Sequence, residues 1–197
     1  MSDSIALRPL ASLALPQSGA ARLAAQAALV IGGTLILTLA SKTKVPLGLV
    51  DLNLGTLAVM GLGVAYGWRL ALVTLLAYMA EGAAGLPVFQ STPEKGIGLA
   101  YMMGPTGGYL VGYVALAVIA GWAADRGWDR NPLKLGAALT VGSALVLALG
   151  WAWLSTLIGA EKAWLGGVAP FVYGDLIKVA LVSAAVPAVW SLFGRKA

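Results

Sequence analysis

The sequence predicts an all-α membrane protein of six transmembrane helices. Of its 197 residues 59% are hydrophobic and only 11% charged, and the mean hydropathy is +0.86, outside the range of soluble domains. The apolar residues also fall into six runs, at about 20–40, 54–66, 69–84, 107–124, 134–158 and 168–193, separated by short stretches of glycine, proline and charge. With no repeat and no low-complexity tract, a single membrane domain over 19–194 follows a cytoplasmic lead-in, 1–18, which holds Arg8, Pro9 and Pro16 but no signal-peptide pattern.

The first run carries Ala20, Ala24, Ala28 and Gly32 in one row. Small residues at four-residue spacing let another helix approach closely, either one of the protein's own or one of a separate subunit. The second and third runs are short for a bilayer that takes about 20 helical residues to cross, so they are tilted, lengthened by flanking residues or packed inside the protein. Asp51 and Asn53 stand at the entrance to the second run, where they either cap a helix or present polar groups to a cavity. Glu81 closes the third run, as a ligand contact or as a carboxylate reaching interfacial water.

The stretch from Gly85 to Tyr101 is the longest connection and includes Pro87, Pro93, Glu94 and Lys95, a composition that suits a lid over a cavity. Phe89 and Tyr101 within it either wall a ligand or join the interfacial aromatic belt, as do the seven tryptophans. Gly104-Pro105-Thr106-Gly107-Gly108-Tyr109 is a turn into the fourth run, with Thr106 placed to cap a helix or to turn backbone N–H groups toward an anion. No strand precedes it and no Gly-Lys-Ser/Thr follows, which excludes a nucleotide loop.

The last run holds Pro170-Phe171-Val172-Tyr173-Gly174-Asp175-Leu176-Ile177-Lys178. Residues at i and i+3 share a helix face, so Asp175 and Lys178 point the same way. Each charge at mid-bilayer costs about 2.5–3.5 kcal/mol on insertion scales, so the pair serves either as an internal salt bridge or as a site for a polar solute. The second accounts for it better, because a buried ion pair often fails to offset its own desolvation.

Charge and composition narrow the function further. Placing both termini in the cytoplasm puts Arg8, Arg22, Arg69, Arg126, Arg130, Lys134, Arg195 and Lys196 inside and only Lys42, Lys44, Lys95 and Lys162 outside, as the positive-inside rule requires. The outer connections are then 41–53, 85–106 and 159–167. The net charge of +5 is scattered rather than striped, which argues against nucleic acid. Without cysteine or histidine, thiol, thiolate-metal and imidazole chemistry are excluded, and no metal or cofactor is expected. An enzyme acting on lipid would need more clustered acids than Glu81 and Asp175 supply. A ligand-free scaffold would leave the charge pair unexplained.

Gly-Leu-Pro-Val-Phe at 85–89, Gly-Pro-Thr-Gly-Gly-Tyr at 104–109 and Pro-Phe-x-x-Gly-Asp-x-x-Lys at 170–178 together resemble the BioY family, the biotin-binding S-components of energy-coupling factor (ECF) transporters. The resemblance extends from about Lys44 to Trp190. It implies an ECF S-component fold in a bacterial cytoplasmic membrane, biotin as ligand, and a pocket near the outer surface capped by the first and third outer loops. It also implies partnership with a coupling subunit and ABC ATPases, or a homo-oligomer in members that act alone. Asp175 and Lys178 match the family's acidic and basic pocket residues, and Ala20, Ala24 and Ala28 match its docking face. Asn53, Phe89, Tyr101 and Thr106 complete the expected ligand set. Two stretches depart: Asp51-Leu52-Asn53-Leu54-Gly55-Thr56 stands where many relatives read Pro-Met-Thr-Leu-Gln-Thr, and Gly142-Ser143 where Gly-Asn is frequent. These departures leave room for a biotin precursor or another small carboxylated vitamin.

Overall fold

The computed structural model describes residues 9–13, 15–45 and 52–194; Arg8, Asp51, Arg195 and Lys196 lie outside these. The described residues are mainly helical: α1 (Gly19–Lys42), a two-residue antiparallel ladder of β1 (Lys44–Val45) and β2 (Leu52–Asn53), α2 (Gly55–Ala83), α3 (Gly98–Met102), α4 (Gly107–Asp125), α5 (Pro132–Ile158), α6 (Ala160–Gly167) and α7 (Val172–Gly194). Among the described residues, α1, α2, α4, α5 and α7 are long and apolar enough to cross a membrane.

The second and third expected spans fall within α2, which is not a straight rod. Gly67 interrupts it with φ 75° and ψ 166°, a conformation closed to most side chains. Thr56 and Tyr78 line one and the same cavity, whereas an unbroken helix would hold them roughly 33 Å apart. The chain therefore doubles back at Gly67, and the arms 55–66 and 68–83 run side by side. Asp125, at the end of α4, clamps the reversal: its Oδ2 accepts from the Trp68 N–H at 3.2 Å, which caps the second arm. A Cβ at Gly67 would stand 2.5 Å from Asp125 Oδ1.

α4 lies between α2 and α5 and makes the largest interfaces of the bundle, while α1 packs mainly on α2. Its upper half is fastened by Gly33 against Thr74 and by the Tyr66 hydroxyl donating to the Leu29 carbonyl at 2.9 Å. α7 closes the bundle and is pinned at its far end, where Trp190 Nε1 donates to Asp129 Oδ2. Burial pushes the Asp129 carboxyl above the usual carboxylate range, and the Trp190 hydrogen bond partly offsets this.

Three connections expected as loops contain regular structure. The first outer connection holds the β1–β2 ladder, the lid segment holds the single turn α3, and 159–167 is the helix α6. α6 is fixed by Tyr109, whose hydroxyl donates to the Gly167 carbonyl at 2.7 Å. The last helix starts at Val172, four residues later than its apolar run, because the Phe171 N–H turns back to the Val168 carbonyl. Of the tryptophans, Trp153 departs from a purely interfacial role: its Nε1 donates to the Gly104 carbonyl and holds the glycine-rich turn to α5.

Candidate functional site

At the end of the bundle bearing the β-ladder, α2, α4, α5 and α7 diverge around a small, partly enclosed cavity lined by polar and aromatic side chains. Helical spacing supplies its charged wall. Asp175 lies in the first turn of α7, its N–H bonded to the Phe171 carbonyl, and Lys178 follows one turn later on the same face. Lys178 Nζ stands 3.1 Å from Asp175 Oδ1, and both residues are buried.

The first turn of α2 completes this wall. The Thr56 hydroxyl accepts from Lys178 Nζ at 2.7 Å and lies 3.2 Å from Asp175 Oδ1, to which it donates. The three groups form a triangle with no net charge. Two of the ammonium's three donors are committed within it, and Asp175 Oδ2 takes no part. The arrangement presents a hydrogen-bond donor beside an acceptor on one cavity wall. It is not a pair sealed in an inert core, because Thr56, Asp175 and Lys178 all border the open space.

A second polar cluster sits nearer the mouth. Asn53, at the end of β2, accepts through Oδ1 from the Gly55 N–H at 2.7 Å and from the Tyr113 hydroxyl at 3.3 Å, and its Nδ2 donates to Gln90 Oε1. Asn53 therefore shapes the start of α2 and faces the cavity at once. Gln90 belongs to the lid, so this amide pair joins the lid to the hairpin side of the mouth.

The lid is tied down at several points. Lys42 Nζ donates to the Thr92 carbonyl and hydroxyl at 2.5 and 2.8 Å, and Lys44 Nζ to the Ser91 hydroxyl at 2.7 Å. The Tyr78 hydroxyl donates to the Val88 carbonyl at 2.9 Å, which leaves Ser41 as the donor in its 2.9 Å contact with Tyr78. Phe89 is driven inward. Its ring stacks on Tyr101 and meets Tyr78 edge-on, each at 5.2 Å between centroids. A Cβ on Gly82 would lie 2.1 Å from Phe89 Cζ, so only glycine leaves room for the ring. Phe89 and Tyr101, both buried, are thus cavity walls rather than members of an interfacial belt.

Thr106 borders the cavity and precedes α4, but its hydroxyl makes no capping bond, so the capping expectation is corrected. Glu81 is not among the cavity residues. Ala20, Ala24 and Ala28 are all exposed on α1, remote from the cavity. Ser143 is buried with no hydrogen-bond partner for its hydroxyl. Among the described residues no group of three His, Cys, Asp or Glu side chains is placed to hold a metal ion.

The sequence reading missed Thr56, Gln90, Tyr113 and Tyr78 as cavity residues. For Thr56 a signal existed: it sits one turn along from Asn53 at the entrance to α2, within the stretch already noted as departing.

Several long apolar helices, gathered around a cavity that carries a charge pair on one wall, make this a multi-pass membrane protein. The chain belongs to the BioY family, whose model matches residues 11–195. It is 36% identical to the biotin transporter BioY of Rhodobacter capsulatus, covering 74% of this chain and 82% of that one. The corresponding Thermotoga maritima protein is 34% identical over 76% and 86% of the two chains. A probable biotin transporter BioY from Pyrococcus horikoshii is 34% identical over 71% and 80%. A crystal structure of the S-component for biotin from an ECF-type ABC transporter matches with a TM-score of 0.76 at 20% identity, covering 88% of this chain and 95% of that one. The fold is therefore that of an ECF S-component, and the family is one of transporters, not enzymes.

Proposed function

We propose that this protein captures biotin from outside the cell and delivers it across the cytoplasmic membrane as an S-component. The observation that carries this reading is the Thr56–Asp175–Lys178 triangle on the cavity wall. A ureido group offers N–H donors and a carbonyl acceptor side by side, and the triangle offers an acceptor and a donor in return. A ligand carboxylate placed there would meet the Asp175 charge, so the ureido end faces the triangle and the carboxylate points to the mouth, near Lys42 and Lys44. Phe89, Tyr101 and Tyr78 then wall the thiophane ring and alkyl chain, and Asn53 and Thr106 complete the polar lining.

The two arms of α2 count as separate crossings in this reading, giving six transmembrane segments with both termini cytoplasmic and the domain bounded by residues 19–194. The exposed row Ala20, Ala24, Ala28 is the docking face for a coupling subunit that links to ABC ATPases, with a homo-oligomer as the arrangement when no such partner is present.

Titration of purified protein with labelled biotin tests the reading. We expect saturable binding, weakened in Lys178→Ala and Asp175→Asn; blocking the ligand carboxyl as an amide should cost less affinity than removing the ureido carbonyl. Absence of binding by the unaltered protein would overturn biotin as the ligand, and unchanged affinity in both variants would remove the pair from the site.

A further inference from the structure

At the opposite end of the bundle from the ligand cavity, a wider cleft of about 1940 Å³, counting its open side, separates the first half of α1 from the reversal in α2. Its long walls are apolar, built from Leu23, Ala27, Ile31, Leu70 and Val73, and several of these are openly exposed. Its end is cationic, with Arg22 from α1 and Arg69 from just past Gly67. Arg22 spends one N–H on the Gln17 carbonyl at 3.0 Å and Arg69 lies over the Trp68 ring, so most of the ten guanidinium donors remain for a ligand. The acid at this end, Asp125, is turned to the Trp68 N–H, and the two arginines leave the cleft positive.

We propose that this cleft holds an anionic phospholipid, its phosphate between Arg22 and Arg69 and an acyl chain along the α1–α2 wall. Charge at one end and an apolar trough running roughly 13 Å from Arg22 to Ile31 match the head-to-tail order of a phospholipid, and basic pockets between membrane helices are suited to anionic headgroups. A transmembrane helix of a partner would fill the trough but leave the arginines unanswered. The cleft borders the Ala20, Ala24, Ala28 row: at 100° per residue Ala27 and Ile31 fall on or beside that row, and Gln26 lies about a third of a turn away from it. The inference does not rest on the identity of the ligand in the cavity.

The test uses the full chain in detergent, with native mass spectrometry and thermal unfolding in the presence of dioleoylphosphatidylglycerol, dioleoylphosphatidylcholine or soluble glycerol 3-phosphate. We expect phosphatidylglycerol to be retained roughly 30-fold better than phosphatidylcholine, from about 1 kcal/mol per arginine, and to raise the unfolding temperature. The preference should vanish in Arg22→Gln/Arg69→Gln and persist in Arg22→Lys/Arg69→Lys. Equal retention of the two lipids by the unaltered protein would overturn the proposal even if the glutamine variant does not fold. So would an undiminished preference in that variant, or a thermal shift reproduced by glycerol 3-phosphate alone.

Discussion

Thr56 and Lys178 meet at 2.7 Å on one wall of the cavity although 122 positions separate them in the chain. The contact joins the first turn of α2 to the first turns of α7, so the charged wall is assembled only when the two ends of the bundle's sequence come together. Removing the Thr56 hydroxyl leaves the ammonium and carboxylate in place but unbraced. Thr56→Val, nearly the same in volume, should weaken biotin binding by about 10- to 150-fold, the worth of about 1.5–3 kcal/mol for a hydrogen bond to a charged group. Titration calorimetry reads this directly.

Cutting Lys178 to alanine strands Asp175 as an unpaired charge and removes the donor as well. Affinity should fall further than in Thr56→Val, and the stranded charge should cost the fold about 3–5 kcal/mol of stability. Lys178→Ala/Asp175→Asn should bind as poorly but recover thermal stability, because no uncompensated charge is left buried; comparing melting curves of the single and double variants checks this.

Gly82 leaves the space into which Phe89 fits. Gly82→Ala puts a methyl 2.1 Å from the ring, and overpacking of this kind costs about 1–3 kcal/mol. The ring must swing out and take the lid with it, so ligand dissociation should accelerate. Stopped-flow release of a labelled ligand measures it.

The lid is secured by Lys42 and Lys44 through Thr92 and Ser91. Lys42→Met keeps the stem and discards the donors, and dissociation should quicken about 5- to 10-fold, with the association rate little changed. A fall in association alone would contradict a latch.

Asp129 provides a pH signature. With its folded carboxyl raised by burial, the group is protonated in both states only well below its ordinary value of about 3.9, and stability is independent of it there. As pH climbs past the ordinary carboxylate value the unfolded chain ionises first, so stability is lost until the folded group also ionises. Asp129→Asn should therefore flatten the decline in melting temperature that sets in above the ordinary carboxylate range, relative to the unaltered protein.

Much of this was readable beforehand. α1, α4 and α5 begin and end within a few residues of their apolar runs, since hydropathy governs where a helix can sit in lipid. The pair Asp175 and Lys178 stood out because charge is rare in such runs. Thr56 did not, because a threonine on an apolar helix looks the same whether it packs, bonds its own backbone or meets a lysine from another helix. Gln90 was hidden for a related reason: a polar residue in a polar loop carries no periodicity, and only the folded lid places it on Asn53. The helix α6 was overlooked because eight residues are too few to show a period, and the stretch passes for a polar connection.

The reversal at Gly67 bears on how the chain enters its membrane. The arm before it would reach roughly 18 Å as a helix, well short of a hydrocarbon layer about 30 Å thick. Such a stub is a poor substrate for the insertion machinery by itself, so biosynthesis must deliver both arms as one preformed hairpin. In a nascent chain halted at residue 66, where α1 already anchors the chain, a cysteine placed within 55–66 should stay reactive to a water-soluble maleimide, and extension to residue 84 should protect it.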